Sequence, residues 1–270
     1  MTTITGTAPA VAASSRPGAG AALRHTMTLA WRSLVQIKHN PMELVDLSVQ
    51  PIMFLLLFTY VFGGAIAGST GDYLQFALPG LVVQNMLFAS MTTAVGLNID
   101  ITRGVFDRLR SLPISRSAPL AGRIVADTLK QVWAFALFLG LGLVLGFRVH
   151  MGIAGVLGAL ALLLAFALAM SWMAVLVGVT AASMEKVQIL MFSLMMPITF
   201  TSNAFVATDT MPSWLRTWVE VNPVSHLADA VRGLLGGGPV ASDATVSLLW
   251  AAGIVVVFAP LAVRAFRNRA

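Results

Sequence analysis

Cysteine is absent from this chain of 270 residues, which excludes disulfides, thiolate metal sites and cysteine nucleophiles. Charge is scarce: Asp, Glu, Lys and Arg make up 10% of the chain, against about 25% in a soluble globular domain. There is no G-x-x-x-x-G-K-[ST] and no Gly-Lys pair anywhere, so the chain has no P-loop with which to cradle ATP phosphates. H-E-x-x-H and G-x-S-x-G are also missing. The four histidines, His25, His39, His150 and His226, are scattered near loops and form no ligand cluster. The sequence offers no catalytic residues and no metal site. Met1 to Arg24 is rich in Ala, Ser, Thr, Gly and Pro but lacks the apolar run of roughly 7–15 residues that a signal peptide needs. It reads as a disordered cytoplasmic tail.

What the chain has in abundance is apolar length. Hydrophobic residues make up 57% of it and the mean hydropathy is +0.84. Six stretches are long enough to cross a bilayer core of ~30 Å as helices, the form that satisfies every backbone group internally. They are Leu47–Ala67, Tyr73–Ile101, Leu120–Phe147, Ile153–Ala182, Val187–Val206 and Ala244–Val263. The predicted fold is an all-α polytopic membrane protein with one membrane domain, residues 25–270, and short loops.

The net charge of +6 could signal nucleic acid or a membrane face, and its distribution decides between them. Of the 17 Lys and Arg residues, 14 fall in the N-terminal segment, the second-to-third and fourth-to-fifth connections, and the C-terminal end; only Arg148, Arg216 and Arg232 fall in the other loops. The positive-inside rule then places both termini in the cytoplasm, as an even number of spans requires. No nucleic-acid partner is expected. Arginine, alanine, glycine and valine usage suits a bacterial plasma membrane protein from a high-GC genome.

Three segments are neither span nor plain loop. His25–Asp46 interleaves Leu29, Leu34, Val35, Ile37, Met42, Leu44 and Val45 with Arg24, Arg32, Lys38 and Glu43. It reads as an amphipathic helix in the cytoplasmic interface, broken near Asn40-Pro41 and anchored by Trp31. Arg103–Arg123 is too polar to span. Val105, Phe106 and Leu109 share one helical edge, Arg103, Asp107, Arg108 and Arg110 lie largely elsewhere, and Pro113 stops the helix. Such a helix suits docking to a soluble partner; a plain positive-inside signal has the same charges. Thr208–Gly238 contains two short apolar helical patterns, started or broken at Pro212 and Pro223 and ended by Gly236–Gly238. It reads either as two helices dipping back into the outer leaflet or as a surface helix with an aromatic belt of Trp214 and Trp218.

Within the spans, charge is rare. Asp127 and Lys130, about one turn apart, could pair. No mid-membrane acidic or basic relay is evident, which speaks against an ion-coupled carrier. Polar residues and methionines gather in the second and fifth spans: Gln84, Asn85, Met191, Met195, Thr199, Ser202 and Asn203. They could line a pathway that adapts to an amphipathic ligand, or simply pack helices. The glycines Gly140, Gly142, Gly146, Gly152, Gly155 and Gly158 suit close helix packing.

The three segments, in this order around six spans, resemble the membrane subunit of bacterial type-2 ABC exporters, nearest to the daunorubicin/doxorubicin-resistance permeases. FDRLRSLPISRSAPLAG, ending at Gly122, is similar to that family's cytoplasmic segment, although the acidic residue usual before the coupling helix is replaced by Asp100 and Asp107 flanking it. Pro197, Met211-Pro212, Trp214-Leu215, Asn222-Pro223 and Arg232-Gly233 match the outer segment. The resemblance implies a homodimeric permease on two copies of a cytoplasmic ATPase, which uses ATP and Mg²⁺; this chain needs no cofactor of its own. It also implies that Val105, Phe106, Arg108, Leu109 and Arg110 form the coupling helix, that 25–46 is the connecting helix, and that Pro212, Trp214, Asn222, Pro223 and Arg232 belong to outer re-entrant helices. The expected function is ATP-driven export of a hydrophobic or amphipathic small molecule. Export of a lipid-linked glycan or polysaccharide shares the architecture, and an ion-coupled carrier, a channel or a membrane-embedded lipid enzyme stands further off.

Overall fold

A computed structural model describes residues 41–105 and 118–269. The N-terminal tail, residues 25–40 of the expected interfacial helix, and Phe106, Arg108, Leu109 and Arg110 lie outside the described residues. The described chain is helical, with no strand among the described residues. In order, the helices are α1 (Pro41–Leu57), which continues through a π turn (Phe58–Phe62) into α2 (Gly63–Ala67); α3 (Thr70–Thr102); α4 (Ala118–Val144); α5 (Gly152–Thr180); α6 (Met184–Phe200); α7 (Ser213–Val219); α8 (Pro223–Gly236); and α9 (Ala241–Arg269).

Among the described residues, five helical stretches are long and apolar enough to cross a membrane: Ser48–Ala67, Thr70–Thr102, Ile124–Val144, Gly152–Thr180 and Ala241–Phe266. α6 is shorter, at 17 residues, or about 25 Å. It stops at Phe200 rather than at Val206. Its last turn is contested by side chains: Ser202 Oγ donates to the Thr199 carbonyl at 2.5 Å and accepts from the Ala204 N–H at 3.2 Å. Such local bonds compete with a helical ladder. A second boundary also moves. Pro41–Asp46 belongs to α1 and is continuous with the first span, not to a separate interfacial helix.

α3 is the centre of the bundle and packs against α1, α2, α4, α5, α6 and α8. Ser69 caps its start: Ser69 Oγ accepts from the Asp72 N–H at 3.0 Å and donates to the Asp72 carboxylate at 2.5 Å. Its core is continuous, with Tyr73, Leu74, Leu78, Leu81, Leu87 and Leu97 almost fully buried. α5 lies against it so closely that a Cβ at Gly178 would come within 2.6 Å of the Ala94 carbonyl oxygen. Next to that contact, Asn98 Nδ2 donates to the carbonyls of Gly178 and Ala181, both at 2.9 Å, at the end of α5. Among the expected packing glycines, Gly142 and Gly155 do abut neighbours, Leu78 and Leu234. Gly146 and Gly152 serve turns at φ +102° and +60°, and Gly140 has open space around it. Asp127 accepts from Thr93 Oγ1 at 2.8 Å, tying α4 to α3.

Candidate functional site: the broken helix and the α7–α8 hairpin

The chain's chemistry gathers at the end of the bundle where α3 begins and α6 stops, opposite Arg103. Between α6 and α7 the backbone leaves the helix at Thr201 and does not resume until Ser213, apart from one 3₁₀ turn at Thr208–Thr210. Irregular backbone at membrane depth is tolerable only where protein or water satisfies it. Here named side chains satisfy it. Asn222 Nδ2 donates to the Ile198 carbonyl at 2.8 Å and more weakly to that of Thr201 at 3.4 Å. Arg232 Nη2 donates to the Asn203 carbonyl at 3.3 Å, and the Tyr73 hydroxyl to that of Phe205 at 3.2 Å. The Asn203 N–H donates to Ser225 Oγ at 3.3 Å.

α7 and α8 form the hairpin that supplies most of these donors. Pro212 precedes the first turn of α7 and its carbonyl accepts from Leu215 and Arg216, both at 3.0 Å. Asn222 caps α8, accepting from the Val224 N–H at 2.9 Å, with Pro223 in the first turn. One face of α8 is buried through Val224, Leu227, Ala228, Val231 and Leu235. α7 is more exposed: Trp214 and Trp218 are largely uncovered, although the Trp218 indole N–H donates to Thr201 Oγ1 at 2.8 Å. α7 is a surface helix with an aromatic face, and α8 is an internal helix.

Arg232 is the hub. Its guanidinium bonds the Asp229 carboxylate, donates through Nε to the Phe76 carbonyl at 3.1 Å, and lies 4.1 Å from the centroid of the Phe76 ring. Burial weakens its hold on its proton and Asp229 strengthens it. Asp229 also accepts from Asn203 Nδ2 at 2.7 Å. One network therefore spans α3, the broken segment and α8. The approach is tightest at Gly80, where a Cβ would fall 2.0 Å from the Ala204 carbonyl oxygen. An aromatic column continues it toward the first span: Phe205 stacks on Phe58 of the π turn at 5.0 Å and on Phe200 at 5.3 Å.

The expected pathway residues divide. Gln84, Met191, Met195, Thr199, Ser202 and Asn203 are buried, and Asn85 is half-buried. Val187, Met191, Met195 and Thr199, at intervals of four, form the face of α6 that packs inward, next to α3. The opposite face, with Ile189, Leu190, Phe192, Leu194, Met196 and Phe200, is open. Asn85 borders a cavity of about 20 Å³ between α3, α4 and α5, shared with Gln131, room for one water-sized guest. Of the coupling residues, Val105 is half-buried just past the end of α3. Tyr73, Gly80, Asp229 and the pair His226–Asp243 were not singled out from sequence. Only Asp229 left a signal, its spacing of three from Arg232.

The chain matches the ABC-2 type transporter family over residues 24–235. It belongs to that family. Along 96% of its length it is 43% identical to the daunorubicin resistance ABC transporter permease protein DrrB1 of Streptomyces coeruleorubidus, covering 92% of that protein. It is 30% identical, over 86% of its length and 84% of the relative's, to the probable doxorubicin resistance ABC transporter permease protein DrrC of Mycobacterium tuberculosis. At 24% identity it is similar to the inner membrane transport permease YadH of Escherichia coli, over 79% of this chain and 83% of that one. The chain is a multi-pass membrane permease of an ABC transporter, a system that works with an ATPase.

Proposed function

We propose that this permease exports amphipathic, drug-like molecules of the daunorubicin type from a bacterial cell, using ATP hydrolysed with Mg²⁺ by two copies of a cytoplasmic ATPase. The observation that carries this reading is the similarity, along nearly the whole chain, to a daunorubicin resistance permease. Both termini lie in the cytoplasm, so the hairpin α7–α8 and the broken segment face outside and close the pathway there. Residues 105–110 couple to the ATPase. A second copy of the chain completes the pathway, and the open face of α6, with the exposed Leu190, Phe192 and Met196, is where it packs and where the ligand passes. The buried face of α6 sets the shape of that surface from behind.

The test is export itself. The permease and the ATPase that copurifies with it are expressed in a drug-sensitive host lacking its own efflux pumps, and loss of preloaded daunorubicin is followed by fluorescence. ATP-dependent efflux that needs both chains is expected. Efflux unchanged by removing the ATPase, or none for daunorubicin and a panel of amphipathic cations, would refute the reading.

A further inference from the structure

His226 lies outside the Arg232 network, on the first turns of α8, and both its ring nitrogens are engaged. Nδ1 is 2.8 Å from Asp243 Oδ1, in the first turn of α9, and Nε2 is 2.9 Å from the carbonyl oxygen of Glu220, which ends α7. A carboxylate and a carbonyl are both acceptors. A neutral imidazole has one N–H and one lone pair, so in this geometry one contact would set a lone pair against an oxygen. The imidazolium, with two N–H groups, satisfies both. The helix ends favour the same state: a cation suits the last carbonyls of α7 and an anion suits the start of α9. The ring thus joins three elements, α7, α8 and α9, at the hairpin's hinge.

The ionisable surroundings are sparse. α9 carries Asp243 at this end and none further until Arg264, while α5 has none at all. The beginning of α3 has Asp72, bonded to Ser69, and Tyr73, bonded to Phe205. On α8, Asp229 and Arg232 bond each other. On α7, Arg216 donates to the Asp209 carbonyl, and Glu220 offers its backbone to the ring. The loop before α5 carries Arg148 and His150, and the His150 N–H reaches Leu235 at the far end of α8.

We propose that His226 is a positioning residue for the hairpin: as an imidazolium it clamps α8 to the end of α7 and the start of α9, and loss of its proton releases one arm, so that outward release depends on the pH outside. The clamp stands on geometry; its role in release rests on the hairpin being the outer closure. Histidine is the side chain whose charge ordinarily changes between about pH 5 and 8, the range a cell surface meets.

Two measurements separate these parts. The first is ¹⁵N NMR of the histidine-labelled permease bound to its unlabelled ATPase; the permease contributes four histidines, and His226→Gln assigns the signal. A ring with two protons at pH 6, changed by Asp243→Asn, is expected. A His226 ring carrying one proton at pH 6 would overturn the clamp. The second is efflux of daunorubicin with outside pH varied from 5.5 to 8.5. Wild type should gain roughly fivefold in initial rate toward alkaline pH, the weight of one hydrogen bond, while His226→Gln and Asp243→Asn should be flat. The probe's own ionisation is common to all three. If the variants follow the wild-type profile while the NMR shows the two-proton ring, the clamp exists but the hairpin is not the outer closure, and the proposal falls on that count.

Discussion

A single methyl group at Gly80 should open the contact between α3 and the broken segment. Its Cβ would sit 2.0 Å from the Ala204 carbonyl oxygen, and 2.7 and 2.8 Å from the Ala204 carbonyl carbon and Cα. All three partners are backbone, so no flexible side chain can swing aside. Relief requires the two segments to part by about 1 Å or more, and overpacking of this kind costs about 1–3 kcal/mol. Parting also stretches the bonds that close the break, Tyr73 to Phe205 at 3.2 Å and Arg232 to Asn203 at 3.3 Å. Each is worth about 1 kcal/mol, the second more because its donor is charged. The sum is about 3–5 kcal/mol. Gly140→Ala is the control: it too lies inside a helix, but nothing lies within 4 Å of its Cβ. The assay is thermal unfolding of the solubilised permease, with efflux alongside. At about 2–4 °C per kcal/mol for a chain of this size, Gly80→Ala should lose about 10 °C and most transport, and Gly140→Ala should lose nothing. Equal melting of both variants would refute the reasoning.

Arg232→Lys should be nearly as damaging as Arg232→Ala, with transport down roughly tenfold or more, because lysine keeps the charge but not the fork that reaches Asp229, Phe76 and Asn203 together; efflux near wild type for the lysine variant would show that charge alone suffices. Phe106→Ala or Leu109→Ala should impair transport while membrane insertion is kept, and normal transport by both would sink the coupling assignment. Leu190→Trp, on the open face of α6, should insert normally and change which amphipathic drugs leave the cell. Met195→Trp, at a position only 2% exposed, should instead lower stability by about 1–3 kcal/mol, and the reverse pattern in melting and drug panels would exchange the roles of the two faces.

Five of the spans were legible because bilayer thickness imposes a minimum length on a crossing helix and apolar runs report it directly; the fifth expected span was overdrawn, since α6 ends after 17 residues. Which face of α6 turns inward was not legible. In a soluble helix the apolar stripe marks the core, but lipid is as apolar as leucine, so Met191 and Leu190 look alike in sequence and differ only in the structure. The hairpin's motif residues Pro212, Asn222 and Pro223 could be read because each acts locally, by starting or capping a helix; Arg232, in the middle of α8, acts at long range. Long-range partners could not be read. Phe76 is 156 residues from Arg232, and Tyr73 is 132 from Phe205, and nothing in either stretch marks the pairing. Gly80 was invisible for the opposite reason: glycine is common in membrane helices, and what sets this one apart is the carbonyl beside it.

The accounting of carbonyls also constrains how this end of the bundle opens. Ile198, Thr201, Asn203 and Phe205 each leave the α6 ladder with an acceptor that a side chain of α3 or α8 satisfies. Moving the hairpin away from α6 and the broken segment strips the donors that Asn222 and Arg232 supply to Ile198, Thr201 and Asn203, and a bare carbonyl facing lipid costs several kcal/mol. Three such losses exceed what binding of a small amphipathic molecule supplies. The break can therefore open only toward water, where hydration replaces each lost donor, and the side of the segment that becomes wet is the side along which a ligand leaves. A hairpin held by these bonds stays shut without an outside source of energy, which fits a chain that has no P-loop of its own and belongs to a family powered by a partner ATPase.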